Sequence, residues 1–240
     1  VDFESENMMG SASSSSEPMK LTYFPVMAKG LGCALVCELS GLPWVGPKDS
    51  GFTMEAWPEL KASGKCTFGQ LPLLEVDGLN ICQCIAIVNY VGKKAGTEGA
   101  NGAELALSQS LLAEAEDLYA GLQKFQPTVF MKHGELGRDG ITKKGDAASN
   151  TKFWAEWVPG QLTKLEELLA GTEKFTSSGE TVGELYLWSM LHQMKLVKPD
   201  LFSTMPKLAA FYANLEAHPS VKKVVSGQST YGEWKQYFIN

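Results

Sequence analysis

The sequence has almost no arginine, since 20 of its 21 basic residues are lysines and Arg138 is the only guanidinium. The formal charge of −6 divides into −4 over residues 1–18 (four acids), +1 over residues 19–95 (seven lysines, six acids) and −3 over the rest (14 bases, 17 acids). A nucleic-acid partner requires concentrated positive charge to meet its phosphates, usually with aromatic residues nearby. No such cluster is present, so the composition argues against nucleic acid.

Metal-ligating residues are also few. The three histidines (His133, His192 and His218) are scattered, and the five cysteines all lie in the first half of the chain: Cys33, Cys37, Cys66, Cys82 and Cys84. Cys33 and Cys37 could share a metal if they are helical, but no second pair completes a zinc pattern. We interpret the cysteines as buried thiols, predict no metal site, and expect a reducing compartment because the odd count suggests no disulfide framework.

Several signatures are missing altogether. No apolar run is long enough to span a membrane, and the acidic start does not match a signal peptide. The chain begins with Val1 instead of Met, so the expected location is the cytoplasm, or an organelle after removal of a targeting segment. Gly-x-Ser-x-Gly, His-Glu-x-x-His and phosphate-loop motifs are absent, and Gly30-x-Gly32 lacks the third glycine of a dinucleotide loop.

The first half alternates strand and helix patterns. An acidic, Ser-rich extension (residues 1–18) precedes a predicted domain at residues 19–95. "MKLTYF" alternates as a strand does, and Leu31, Leu35 and Leu39 recur at helical spacing. A weak strand follows at Trp44-Val45, and Asp77-Gly78 between two apolar runs predicts a hairpin with a type I′ turn. A helix then begins at Gln83 or Cys84, which gives a βαβ unit followed by ββα in one mixed four-stranded sheet.

The second half is predicted to be all helical. The Gly/Ala-rich stretch "KKAGTEGANGA" indicates a linker at residues 96–102, and residues 103–240 form the second domain. Apolar residues recur with the helical period near residues 111–122 and 153–169, the latter with a bend at Pro159. Thr181 to Met194 and Pro206 to Leu215 predict two more helices. Thr181 and Glu184 have the spacing of a capping box.

Three residues of the first domain are chemically suggestive. Tyr23 ends the first strand, Pro72 opens the hairpin, and Gln83 lies at the start of a helix, where free N–H groups and a partial positive charge favour a carboxylate. Each also has a purely structural interpretation: a core or interface tyrosine, an edge-strand proline and a helix cap.

Taken together, these residues resemble the glutathione-binding domain of cytosolic glutathione transferases, most closely the tyrosine-type, sigma-like class. "KLTYF", "AWPELK", "FGQLPLLEVDG" and "QCIAIVNYV" are similar to the family's motifs, and the resemblance covers residues 19 to about 225. It implies a thioredoxin-like α/β domain followed by an all-α domain. It also implies a catalytic residue, Tyr23, and a set of glutathione-binding residues: Trp57, Lys61, Gln70, Leu71, a cis Pro72, Gln83 and Cys84.

The resemblance further implies the reaction. Tyr23 would stabilise the thiolate of glutathione, the co-substrate, which would attack a small hydrophobic electrophile in a detoxification reaction by a homodimeric enzyme. The electrophile would lie near four residues that serve equally well as core: Tyr119, Phe125, Phe130 and Met131.

Some positions depart from the family pattern. Lys29 stands where an arginine would support the phenol, Cys84 replaces a serine, Gln109 falls near an acid lent across the dimer, and Glu184 replaces the helix-cap aspartate. These departures leave an alternative open, in which the fold serves as a non-catalytic subunit of a larger assembly. Residues 1–18 would then contact the other members of that assembly. Thiol–disulfide chemistry is a third possibility, but it needs a cysteine where Tyr23 stands.

Overall fold

The computed structural model describes residues 17–129, 147–169 and 173–239. In the first half, a four-stranded sheet has the order β2-β1-β3-β4. Strand β1 pairs in parallel with β2 and antiparallel with β3, and β3 pairs antiparallel with β4. The elements of this half are β1 (Met19–Thr22), α1 (Gly30–Leu39), β2 (Trp44–Val45), α2 (Pro47–Ser50), α3 (Trp57–Ala62), β3 (Leu73–Val76), β4 (Leu79–Cys82) and α4 (Cys84–Ala95). The predicted βαβ-ββα arrangement in a mixed sheet is confirmed.

Turn residues account for the hairpin between β3 and β4. Asp77 has φ 50° and Gly78 has φ 74°, which is the pair of positive φ angles that a type I′ turn requires. Helix α4 ends at Ala95, with Gly96 in the left-handed conformation at its C-terminus. The next helix begins at Gly102, after an Asn101 cap whose side chain accepts from Ala103 and Glu104. The helix after α4 thus begins at the last residue of the predicted linker, 96–102, and the division into domains stays a prediction.

The second half is mostly helical. Its elements are α5 (Gly102–Phe125), α6 (Ala147–Lys152), α7 (Val158–Leu168), α8 (Val182–Val197), α9 (Pro206–Ala217) and α10 (Pro219–Val225). Helix α8 packs against both α5 and α1, and Tyr186 and Trp188 on it are fully buried. Because α8 contacts elements of both halves, one hydrophobic core continues from the sheet into the helices.

The predicted capping box of α8 is confirmed. Thr181 accepts from the Glu184 amide, and the Glu184 carboxylate accepts from the Thr181 amide at 3.1 Å. The same carboxylate also accepts from the backbone N–H groups of Phe175 and Thr176, at 2.7 and 3.2 Å. Glu184 is 1% exposed. The longer acid therefore joins the start of α8 to the preceding loop.

The irregularity in the helix near Pro159 lies one turn earlier than predicted. Residues Phe153–Trp157 form a π-helical turn, and α7 begins at Val158 with Pro159 in its first turn. Proline has no N–H to donate to the carbonyl of Ala155, four residues before it, and its ring would collide with that group. The wider turn therefore precedes the proline.

After α10, a C-terminal segment (residues 226–239) returns to the first half of the chain. It pairs with the loop after β1 through a parallel bridge between Val26 and Lys235, and with the residues that follow α5 through an antiparallel bridge between Thr128 and Phe238. This segment therefore lies against both halves of the protein. The sequence patterns did not predict it.

All five cysteines are unpaired and buried, as interpreted from the sequence.

The structure also bears on membrane crossing. Among the helices of the described residues, none has both the length and the apolar composition of a transmembrane span.

Glu104, in the first turn of α5, has an unusually well-bonded carboxylate. The Ser177 and Ser178 hydroxyls and the Ala100 amide donate to it and lower its pKa to about 2. A carboxyl with a lowered folded-state pKa stabilises the fold above its unfolded value of about 4.3, and that contribution disappears as the pH falls towards the folded value.

Glu104→Gln is therefore expected to lower the free energy of unfolding at pH 7 and to weaken its dependence on pH between about 4.5 and 2. Urea unfolding midpoints across this pH range would measure the effect. Glu167→Gln, at an exposed site on α7, serves as the matched control and should keep the wild-type pH dependence. Equal slopes in wild type and Glu104→Gln would contradict this account.

Candidate active site

Tyr23 directly follows β1 and is nearly buried, with 8% of its surface exposed. The backbone N–H of Lys29 donates to its hydroxyl at 3.4 Å. Burial raises the pKa of Tyr23 well above its ordinary range, and the neighbouring Cys84 adds to the effect. The phenol is therefore protonated at neutral pH and can donate a hydrogen bond, but it cannot act as a base.

The loop between β1 and α1 is fixed by the C-terminal segment. The Tyr231 hydroxyl donates to the Phe24 carbonyl at 2.5 Å, and the Lys235 amide donates to the Pro25 carbonyl at 2.9 Å. In return, the Met27 amide donates to the Lys235 carbonyl at 3.0 Å. These backbone contacts hold the loop that follows Tyr23.

Lys29 contacts the phenol through its backbone, whereas its side chain lies elsewhere. Its ammonium pairs with Glu116 on α5 and lies 4.6 Å from the centroid of the Tyr119 ring. Glu116 also accepts from the Tyr186 hydroxyl at 2.6 Å. The resemblance suggested side-chain support of the phenol at position 29, but here the side chain joins the loop to α5 and α8.

Cys84 is the first residue of α4 and is 4% exposed. Its Sγ donates to the Lys29 carbonyl at 3.8 Å. A hydrogen bond with Cys33, followed by the nearby charge of Lys29, lowers the pKa of the Cys84 thiol. The Cys84 sulfur is thus hydrogen-bonded to the β1–α1 loop. The group of Cys84 that can contact a ligand is therefore its backbone.

The N-terminus of α4 is open to a ligand. Gln83 precedes the helix with φ 75°, its side chain is exposed, and it makes no capping hydrogen bond to the helix. The first amides of a helix have no partner within the helix, so those of α4 can meet an anion. Left-handed non-glycine residues such as Gln83 are uncommon and cluster at functional sites.

The loop before β3 lies at the same end of the sheet as the N-terminus of α4. The Leu71–Pro72 peptide bond is cis, as the resemblance implied. Pro72 is buried, Leu71 is half-buried, and the Gln70 side chain is exposed. This arrangement leaves Gln70 accessible from solvent.

Trp57 and Lys61 lie on α3 beside this loop. A row of aromatic rings leads from the phenol to them: Tyr23 and Phe24 have centroids 5.8 Å apart, and Phe24 meets the edge of Trp57 at 5.8 Å. The Lys61 ammonium lies 5.9 Å from the Trp57 ring centroid. The Lys61 stem lies so close to Gly69 that a Cβ there would be 3.4 Å from it, which brings Lys61 next to Gln70.

Two of the four residues proposed for the electrophile are separated by the structure. The Tyr119 hydroxyl accepts from Gln123 at 2.7 Å, and burial raises the pKa of Tyr119, with Tyr23 and Tyr237 adding to it. Phe125 is six residues further along α5, about 9 Å along the axis and on another side. Tyr119 therefore lies near the candidate catalytic phenol, while Phe125 does not share its position on the helix.

Phe125 instead lines a separate cavity of about 410 Å³ with Lys152, Phe153, Glu156 and Trp157. Its ring stacks on Phe153 with centroids 5.0 Å apart. The other two proposed residues, Phe130 and Met131, lie outside the described residues.

Some neighbours of the phenol were not expected from the sequence. Gln123 donates to the Tyr119 hydroxyl and also to that of Tyr237, at 2.9 Å. Tyr237 belongs to the C-terminal segment, which lies beyond residue 225, where the resemblance ends. Glu116 is one of several acids on α5 and has no distinguishing motif. No local signal in the sequence would have identified Tyr237 or Glu116.

Gln109, which falls near the position of an intersubunit acid, makes a reciprocal amide pair. It donates to Asn89 on α4 at 2.8 Å and accepts from it at 3.2 Å. Its amide therefore joins α5 to α4 within the chain.

A family model described as the glutathione S-transferase C-terminal domain matches residues 140–226. Glutathione S-transferase 1 of Ascaris suum is 29% identical over 210 residues, which cover 86% of this chain and 95% of that protein. Glutathione S-transferase P of Macaca mulatta is 26% identical over 209 residues, which cover 85% and 90% respectively.

Solved structures give the same result. The crystal structure of the glutathione S-transferase from Ascaris lumbricoides superimposes with a TM-score of 0.70 at 28% identity. The match covers 88% of this chain and 98% of that one. The similarity thus extends over both the sheet and the helical half.

Proposed function

We propose that this chain, which is similar to glutathione S-transferases over most of its length, is itself a glutathione S-transferase in which Tyr23 activates the thiol of glutathione for attack on a small hydrophobic electrophile. The observation that carries this proposal is the buried, protonated Tyr23 hydroxyl, which accepts from the Lys29 amide and can donate to a sulfur. The thiol gives its proton to solvent, a carbon–sulfur bond forms, and the electrophile loses its leaving group or takes up a proton.

The energy required is of the size that such a site can supply. A free thiol with a pKa of about 8.5 is only about 3% ionised at pH 7. Lowering this pKa by about two units requires about 2.7 kcal/mol and makes the thiolate the majority species. A hydrogen bond to a charged group contributes about 1.5–3 kcal/mol. The Tyr23 hydroxyl and the positive end of α4 are therefore sufficient together.

The rest of glutathione would bind along the same end of the sheet. The γ-glutamyl carboxylate would meet the N-terminal amides of α4 after Gln83. The backbone of Leu71 would pair with the peptide as an added strand does. Lys61 and Trp57 would meet the glycyl end, with Gln70 between them. Because the Cys84 sulfur is hydrogen-bonded to the Lys29 carbonyl, the backbone amide of Cys84 is the group that would contact the carboxylate.

We place the electrophile beside Tyr119 in this proposal, because Gln123 joins the Tyr119 and Tyr237 hydroxyls and Tyr23 helps to raise the pKa of Tyr119. Phe125 belongs to another cavity and is a weaker candidate. A homodimer is part of the same proposal. The acidic extension 1–18, proposed as a contact with a larger assembly, lies mostly outside the described residues and stays a prediction.

The proposal is tested by binding and turnover together. The purified chain is expected to be retained on immobilised glutathione, to elute with free glutathione, and to conjugate glutathione to an aryl halide, followed by absorbance. A chain unfolded in urea, passed over the same resin, controls for non-specific retention. Neither retention nor turnover by the folded chain would favour the alternative, a non-catalytic subunit with this fold.

A further inference from the structure

The peptide group between Ala28 and Lys29 is held at both of its polar atoms. Its N–H donates to the Tyr23 hydroxyl at 3.4 Å, and its carbonyl accepts from the Gln193 side-chain amide at 2.9 Å. A trans peptide is planar, with its C=O and N–H pointing in opposite directions. A side chain that fixes the carbonyl therefore also fixes the direction in which the N–H points.

Ala28 has a backbone conformation that needs outside support. Its φ is 31°, in a region that residues with a Cβ rarely occupy and that persists only where the surroundings enforce it. Ala28 is 1% exposed, and α1 begins two residues later. The Gln193 hydrogen bond is a side-chain contact from α8 to this strained residue, 165 positions away in the sequence.

The bonding of Gln193 itself is one-sided. The side chain is 1% exposed, and its amide nitrogen also lies 3.3 Å from the Ser189 carbonyl. Its carbonyl oxygen, by contrast, has no hydrogen-bond partner among the described residues. An unpaired buried oxygen destabilises a protein. An apolar side chain would fill this buried site without leaving an unpaired oxygen. The hydrogen bond that the Gln193 amide N–H donates is therefore the reason for a glutamine at this position.

We propose that Gln193 is a positioning residue for the thiol-activating tyrosine. Gln193 donates to the Ala28 carbonyl, the Lys29 amide donates to the Tyr23 oxygen, and the Tyr23 hydroxyl donates to the sulfur of glutathione. Hydrogen bonds in such a chain polarise one another, so each donation strengthens the next. The proposal rests on the thiol-activating role proposed above for Tyr23.

The test measures the pKa of the bound thiol, which a merely structural role would not change. Thiolate absorbance of the glutathione complex is titrated in wild type, Gln193→Met and Gln193→Asn. Methionine keeps the length and packing without the donor, while asparagine keeps the amide but shortens its reach. Both are expected to hold about threefold to tenfold less thiolate at pH 7 than wild type. Met194→Leu, at the adjacent buried position of α8, should match wild type.

The outcomes separate this inference from the function it rests on. A wild-type complex without thiolate at neutral pH would remove the proposed function and this role together. Thiolate in wild type with unchanged titrations in both Gln193 variants, or with an equal loss in Met194→Leu, would overturn the positioning role alone.

Should the Gln193 variants fail to fold, hydrogen exchange of the Lys29 amide in the unmodified chain decides the question. Strong protection supports the proposal, because the amide is then held against Tyr23. Exchange at the rate of an exposed loop overturns it.

Discussion

Replacing Tyr23 with phenylalanine is expected to lower the conjugation rate at pH 7 by up to about 25-fold, a limit set by the ratio of about 76% to about 3% thiolate for thiol pKa values of about 6.5 and 8.5 and reached only if the end of α4 contributes little. Phenylalanine fills the same space and removes only the hydroxyl, so the fold should be kept. The defect should shrink as the pH rises towards 9, because the thiolate then dominates in both proteins. Initial rates with an aryl halide between pH 6 and 9 would measure it.

Tyr90→Phe is the matched control, because Tyr90 lies on α4 and its hydroxyl donates to Asp77 on the hairpin turn. It should retain the wild-type rate at every pH. Turnover that does not depend on Tyr23 would show that the mechanism is wrong even if glutathione is the substrate. A defect of constant size across the pH range would also exclude thiol activation as the role of this hydroxyl.

Replacing Gly183 with alanine should cause the largest loss of stability. Gly183 lies in the first turn of α8 and donates to the Ser108 side chain on α5 at 3.0 Å. A Cβ at this position would lie 2.1 Å from the Ser108 carbonyl oxygen, and a backbone atom cannot move aside as a side chain can. Overpacking of a core typically destabilises by about 1–3 kcal/mol, and more where the backbone must shift. We expect about 3 kcal/mol and a thermal midpoint lower by roughly 6–12 °C.

Gly160→Ala, also in a helix, is expected to change stability in the opposite direction. Gly160 lies in α7, and a Cβ there would meet nothing within 4 Å. Alanine is favoured over glycine inside a helix by up to about 1 kcal/mol, so this variant should be slightly more stable than wild type. Urea unfolding of the two variants beside wild type would measure both effects. A Gly183→Ala protein as stable as wild type would mean that α5 and α8 are not packed as closely as described.

Features encoded in a few adjacent residues could be predicted from the sequence. The positive φ angles at Asp77 and Gly78 follow from the turn residues themselves, and the capping box of Thr181 and Glu184 follows from a spacing of three. The start of α4 at Cys84 was predicted within one residue. In each case the interacting groups are close in the sequence, so their chemistry is visible without knowledge of the fold.

Features that depend on distant residues could not be predicted in this way. The approach of the Lys29 ammonium to Glu116 and the donation from Gln193 to Ala28 join residues 87 and 165 positions apart. Residue type alone gave no reason to choose Glu116 among the acids of α5. The electrophile residues show the same limit: Tyr119 and Phe125 share one helix, but the side chains that surround each of them come from different elements.

The pairing of Lys235 with Val26 and Met27 also has a consequence for biosynthesis. Translation proceeds from the N-terminus at about 5–20 residues per second, so Lys235 is made roughly 10 to 40 seconds after the loop that it holds. During that interval the nascent sheet can form, but the turn following its first strand lacks its final backbone partners. The chain can therefore complete this turn only after Lys235 has been synthesised and has left the ribosome.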